Sequence, residues 1–345
     1  MAAYAITATE LIASLGADAD SCHRAWIAGN AAGGEGDFSI VGDLPTLPEP
    51  WQGRADRSLG LLSLLLSRLS VPLSAASRRW GPGKLGIVVG VQGPSDGRPA
   101  LDDDLVELAR RHSRARGPAY AITGDIAAGG WAIRSATDLL SSGLCDGVLV
   151  VGIGGDVGSR TKFWQELGEL GSPGSYPLRG DRTGLRLGEG AAAILLERQG
   201  RCEVELRGSA SSDDAAQAIR DALELAGASP RQLTWALCGA DGRVEADRRL
   251  AEAIRRELGT TLPVASAVAC RGSLGAAQDV AGIVDVVRSV DAGRIGPLGP
   301  SQPSDPWFGL NVVCEPTALE TDLALTIHAG IDGAFNAFVL GVREP

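Results

Sequence analysis

The chain has 345 residues, of which 42 are acidic and 32 basic, giving a formal charge of −10, and 44% of it is hydrophobic. That hydrophobic share excludes a disordered chain, and the acidic balance excludes the basic stripe that a nucleic-acid backbone requires. Glycine supplies 47 residues, roughly twice the usual share and without the strict period of collagen, which points to tight turns and close backbone contacts.

In chain order, Leu85-Gly-Ile-Val-Val89 reads as a buried strand. A helix is predicted over 101–113, with Asp102-Asp-Asp104 at its positive end and Leu101, Leu105 and Leu108 on one face. Ile133, Ala136 and Leu140 mark a helix ending near Gly143. Gly147–Gly152 and Ala191–Leu196 read as buried strands, and Cys202–Leu206 alternates as a half-exposed one. After Ser211-Ser-Asp-Asp214, a helix carries Ile219, Leu223 and Ala226 on one face and ends at Gly227. Trp235–Cys238 is a strand. Leu250, Ile254 and Leu258 then mark a helix stopped by Gly259. The Gly/Pro-rich stretch 292–305 is a loop, followed by strands at Asn311–Cys314, Leu323–Ile327 and Phe338–Leu340. The alternation predicts an α/β fold. A strand, a small-residue turn and a helix recur at 124–143 and 265–290, as in an internal repeat.

No run of about eighteen apolar residues is present, so no membrane span is predicted. Met1-Ala-Ala-Tyr4 lacks the basic start of a secretory leader. The cysteines at 22, 145, 202, 238, 270 and 314 form no CxxC pair and no metal-ligand spacing. The expectation is a cytoplasmic protein with reduced cysteines and with no metal or cofactor. No Gly-x-Gly-x-x-Gly turn follows a strand, so the glycines do not form a dinucleotide site.

Four segments carry chemical information, and they follow one order. Thr123-Gly-Asp-Ile-Ala-Ala-Gly-Gly-Trp-Ala-Ile133 resembles the nucleophile elbow of β-ketoacyl synthases. Gly184-Leu-Arg-Leu-Gly-Glu-Gly-Ala-Ala-Ala-Ile194 resembles their Gly-Glu-Gly-Ala segment. Trp235-Ala-Leu-Cys-Gly-Ala-Asp-Gly-Arg243, with Asp247 beyond it, resembles the segment of the first catalytic histidine. Pro263-Val-Ala-Ser266 and Cys270-Arg-Gly-Ser-Leu-Gly-Ala-Ala277 resemble that of the catalytic lysine and second histidine. Softer matches are Ala55-Asp-Arg57, Gly117-Pro-Ala-Tyr120 and Ala329–Ala337. The resemblance implies a thiolase-like fold of two pseudo-symmetric halves, 1–200 and 201–345, in an α-β-α-β-α arrangement.

Such enzymes need a cysteine at the strand-to-helix turn, where the helix N-terminus favours the thiolate and backbone N–H groups hold an oxyanion. Two histidines then polarise the carbonyl. The matching positions here are Ile126 for the cysteine, Gly239 and Gly272 for the histidines, and Ala267 for the lysine. The histidines of the chain are His23, His112 and His328. An intact frame without its catalytic groups resembles the chain-length factors of type II polyketide synthases. In these the elbow reads Glu-Gln-Ala-Gly-Gly; here Asp125-Ile-Ala-Ala-Gly-Gly130 keeps the acid and the glycines but replaces the glutamine by Ile126. The resemblance implies a non-catalytic subunit that heterodimerises with an active ketosynthase, receives chains on acyl carrier protein, and shapes the tunnel that sets chain length. It implies tunnel or interface roles for Leu101, Leu105, Leu108, Asp125, Ile126 and Ile331.

Several residues carry two readings. Asp125 polarises a substrate or holds a partner loop, or it caps the following helix. The leucine stripe of 101–113 lines a tunnel or interface, or it is core. Cys238 and Cys270 are repurposed thiols, or inert buried ones. His328 borders the last glycine-rich loop and is the best placed histidine, or it is a hydrogen-bonded structural residue. Glu189 reads as a tie between loops. A repurposed enzyme on acyl thioesters would draw on Asp125, Cys238, Asp241, Cys270 and His328. A homodimeric acyl-binding scaffold is the third reading.

Overall fold

The apolar runs fold into strands buried on both faces. The computed structural model describes residues 2–30, 38–39, 41–54, 56–93, 102–155, 157–172, 175–299, 308–331 and 333–343. The first half carries β1 (Tyr4–Ala13), α1 (Ala19–Ile27), β2 (Phe38–Ser39), α2 (Arg57–Arg68), α3 (Ser70–Trp80), β3 (Leu85–Gln92), α4 (Asp102–Ser113), β4 (Ala119–Gly124), α5 (Ala128–Ser141), β5 (Gly147–Gly154), α6 (Val157–Glu166), β6 (Leu187–Gly188) and β7 (Gly190–Glu197). The second carries β8 (Val204–Ser212), α7 (Ala215–Ala226), β9 (Trp235–Cys238), α8 (Val244–Leu258), β10 (Pro263–Ala265), α9 (Val268–Arg271), α10 (Gln278–Ala292), β11 (Arg294–Ile295), β12 (Asn311–Val312), β13 (Thr317–Ala318), β14 (Leu323–Ala329) and β15 (Phe335–Val342).

A mixed eleven-stranded sheet runs β12-β10-β9-β14-β15-β8-β1-β7-β5-β3-β4. Its two sides repeat one design. The sequence β1, β7, β5, β3, β4 on one side matches β8, β15, β14, β9, β10 on the other, and in each the first three strands are antiparallel in turn and the last three parallel. The sides meet at a short antiparallel step, with Tyr4 opposite Leu206 and Ala5 opposite Glu205.

Successive strand residues point to opposite faces, and both faces are covered. In β5, Val148 and Val150 pack between the two sides with residues of α5 and α10, whereas Leu149, Val151 and Ile153 pack outward with leucines of α2 and α4. In β14, Ala324 faces the central layer, while Leu325 and Ile327 face α7 and α8. The architecture is therefore α/β in five layers: outer helices, sheet, central helices α5 and α10, sheet, outer helices. It is the thiolase-like arrangement of two similar halves that the sequence led us to expect, and the recurring strand-turn-helix segments supply its two central helices.

Four expectations need correction. Leu105 and Leu108 are completely buried in the outer cluster with Leu59, Leu62 and Leu66 of α2. A tunnel or interface wall must show a surface, so these two leucines are core; Leu101 lies outside the described residues. The strand expected at Cys202 begins at Val204 and runs on to Ser212, and the one expected at Asn311–Cys314 shrinks to Asn311–Val312. Within the stretch 292–305, Arg294–Ile295 pairs with Thr317–Ala318, and residues 300–305 are outside the described set.

Among the described residues no single helix is long and apolar enough to cross a membrane. α2 and α3 together reach that length, but they bend by 67°, and α2 buries Leu59, Leu61, Leu62, Leu65 and Leu66 in the core.

Candidate functional site

β4 ends at Gly124 and α5 begins at Ala128, so residues 125–127 form a sharp strand-to-helix turn in the middle of the molecule. Asp125 bridges two segments from this turn. Its Oδ1 accepts the Ala127 N–H at 2.7 Å, and its Oδ2 accepts the N–H of Ile331 from the last loop. Ile126 is 2% exposed and packs with Val157, Trp164, Leu185 and Leu187, with Ile331 at the margin. An aliphatic side chain offers no lone pair, and here it fills its space. Asp125, Ile126 and Ile331 are thus brought together, as a plug joining the elbow to the last loop.

Gly239 and Gly272, which the sequence resemblance sets against histidines, are closed in by their surroundings. A Cβ on Gly239, just after β9, would stand 1.8 Å from Cδ2 of His328. The imidazole, which projects from β14, occupies that room. On its other side a Cβ on Gly282 would stand 2.5 Å from Cε1. Gly272 has φ +77° and lies so close to Leu187 that a Cβ would meet its carbonyl at 2.7 Å, so this backbone conformation and this contact both select glycine. Ala267 is buried at 2% exposure.

His328 belongs to a buried polar network beneath the elbow. Its Nδ1 lies 3.1 Å from Oδ1 of Asp279, off the line of a good hydrogen bond, so the contact is one of proximity. The other carboxylate oxygen of Asp279 accepts the Gly130 N–H and the Asn336 amide, both at 3.0 Å. Asn336 also donates to the Ala127 carbonyl at 3.2 Å. All three side chains are buried. Gly129 and Gly130 make the approach possible, because a Cβ on either would collide with the Ala276 carbonyl or with Asn336. Sequence reasoning missed Asp279 and Asn336. A signal was there for Asn336, a lone polar residue in the apolar run 334–340; Asp279, beside Gln278, carried none.

The residues considered for a repurposed enzyme do not assemble into one reactive cluster. Cys238 and Cys270 are wholly buried, and burial pushes their thiols up to about 12 and about 11, away from the thiolate that attack requires. Asp241 is engaged by Arg243, whose Nε lies 3.0 Å from both carboxylate oxygens. Arg243 in turn donates to the carbonyls of Ala329 and Gly330 and lies over the Trp164 ring. Asp125 and Asp241 therefore grip the same last loop from two sides. Asp247 is buried and accepts the N–H groups of Leu178, Asp241 and Gly242; burial and the nearby Asp241 charge push its carboxyl up to about 7. Glu189 joins Arg57 to the Val41 N–H. Among the described residues no group of three His, Cys, Asp or Glu side chains is placed to hold a metal.

Comparison with known proteins bears on the fold. Residues 112–201 match the family described as beta-ketoacyl synthase, N-terminal domain. A nodulation protein E from Rhizobium leguminosarum bv. trifolii is 28% identical over 222 residues, which is 57% of this chain and 55% of that protein. Another, from Rhizobium sp. (strain N33), is 26% identical over 219 residues, 57% of this chain and 54% of that protein. The chain thus spans about half the length of the curated relatives it matches. Among solved structures, a ketosynthase in complex with its chain length factor from Xenorhabdus doucetiae superimposes with a TM-score of 0.88 at 20% identity, covering 99% of this chain and 98% of that one. The ishigamide ketosynthase/chain length factor gives 0.86 at 19%, covering 99% of each. A type II polyketide synthase acyl-carrier protein in complex with its ketosynthase gives 0.84 at 16%, covering 99% of each. These likenesses establish a ketosynthase-like, thiolase-type fold.

Proposed function

We propose that this chain is a non-catalytic, chain-length-factor-like subunit that pairs with an active ketosynthase of a type II polyketide synthase. The observation that carries the reading is the state of the elbow region. Ile126 fills the nucleophile position, His328 fills the room of residue 239, and the Leu187 backbone closes on Gly272. In this reading the partner's cysteine condenses the chain, acyl carrier protein delivers it, and this subunit completes the tunnel. Residues 1–200 and 201–345 act as the two halves of one unit, in the cytoplasm.

The partner-facing surface in this proposal is the free edge of β4, with Tyr120 and Ile122 partly exposed beside Trp131, Arg134 and Ser135 of α5. One edge of β4 is bonded to β3, so the other offers backbone groups to a partner strand. The buried Leu105 and Leu108 have no part in it.

Co-expression with a ketosynthase encoded nearby tests the proposal. The expected result is a stable one-to-one complex in which condensation needs both chains. Turnover of acyl thioesters by this chain alone, or a stable homodimer that ignores the ketosynthase, would overturn it.

A further inference from the structure

At an active elbow the first turn of the helix presents positive potential and unused N–H groups to a thiolate or an oxyanion. In this chain three N–H groups of the turn are already committed. Asp125 takes the Ala127 N–H through its carboxylate at 2.7 Å and the Ala128 N–H through its own carbonyl at 3.2 Å. Asp279 takes the Gly130 N–H at 3.0 Å. The N–H of Ile331, brought to the elbow by the last loop, goes to Asp125 as well.

Asp279 has a further peculiarity. It lies in the first turn of α10 while bonding the first turn of α5, so one wholly buried carboxylate stands between the positive ends of both central helices. Among the described residues no lysine or arginine forms an ion pair with Asp279, whose titratable neighbour is His328. Arg243 is engaged by Asp241 and two carbonyls, and Arg160 binds the carbonyls of Gly154, Gly188 and Ser273. His328 faces Asp279 from β14.

We infer that the elbow is quenched as well as emptied: the carboxylates of Asp125 and Asp279 neutralise the N-terminal end of α5 and take the Ala127 and Gly130 N–H groups, so that a thiol returned to position 126 stays protonated and inert at neutral pH. The inference deepens the non-catalytic reading above and rests on it for the meaning of position 126. Losing the cysteine is then only one part of the inactivation; the electrostatics of the turn have been rebuilt around its absence.

The test uses the full chain carrying Ile126→Cys, with thiolate ultraviolet absorbance titrated against the parent protein. The introduced thiol is expected to titrate at or above the ordinary value of about 8.5. Burial by itself raises a thiol too, so the decisive step adds Asp279→Asn. This is expected to lower the midpoint by about one unit, a tenfold gain in thiolate. Where Asp279→Asn does not fold, Asp125→Asn in the same background is expected to shift the midpoint the same way. A midpoint below about 7.5 with Ile126→Cys alone, or one unmoved by removal of a carboxylate, overturns the inference. Co-purification with a ketosynthase is read separately. A failed complex with the expected titration removes the subunit reading and leaves the quench standing.

Discussion

Gly239 and His328 hold one another in place across β9 and β14. Because a single methyl on residue 239 would enter the imidazole ring, Gly239→Ala is expected to destabilise the protein by about 1–3 kcal/mol, the usual range for overpacking a filled core. With His328→Ala the room reappears, so the double variant should lose less than the two single losses added together. Urea unfolding of all four proteins measures that coupling. Asp247 offers a second test at this scale. Its carboxyl is pushed up to about 7 by burial and by Asp241, above its value of about 3.9 in an unfolded chain. A raised carboxyl binds more protons when folded, so its contribution is present below about pH 4 and is lost as pH rises through about 7. Unfolding midpoints should fall between those limits, and Asp247→Asn should flatten that part of the profile. A profile unchanged by the substitution would remove Asp247 as its source.

At the scale of elements, helix ends decide more than helix interiors. The Asp214 side chain accepts the Ala216 N–H at 3.0 Å at the start of α7, and Gly227 closes the helix in a left-handed conformation. Asp214→Ala should cost about 1 kcal/mol, seen as a lower thermal midpoint without change of fold. α5 is capped differently. Its cap residue, Ala127, has no side-chain acceptor, and carboxylates from Asp125 and from α10 serve instead. The first contact is local, and the sequence offered Asp125 as a cap; the second spans 149 positions, which is why periodicity located α5 and its end near Gly143 yet gave no hint of Asp279. β4 eluded the periodicity for a different reason. Its apolar run, Ala119-Tyr-Ala-Ile122, is only four residues long and half-buried, too short to separate from a turn by pattern.

At the scale of the whole molecule, core and interface separate. Leu108→Ala should destabilise the chain by about 2–5 kcal/mol and leave the product length of an assembled complex unchanged, since the leucine lies under α4 against α2. Arg134→Glu, at an exposed position of α5 beside the edge strand, should leave the unfolding midpoint nearly unaltered and weaken the complex with a ketosynthase, as read by size and by co-purification. If Leu108→Ala alters product length, or Arg134→Glu leaves the complex intact, the partner surface lies elsewhere.

The sequence by itself determined the α/β alternation, the recurrence of strand, turn and helix, and the absence of cysteine and histidine from the matching positions. These are local properties: burial on both faces writes apolar runs, and a missing side chain is missing in any fold. Tertiary structure alone decided what surrounds those positions. That Leu105 and Leu108 are core, that His328 stands over Gly239, and that Asp279 reaches the elbow helix all depend on segments far apart in the chain. A helical stripe looks the same whether it faces another helix or a partner, and a lone acid looks the same on a surface as between two helix ends. The glycines follow that division. Their abundance announced close packing, and only the fold showed that Gly239 makes room for an imidazole and Gly272 for the Leu187 backbone.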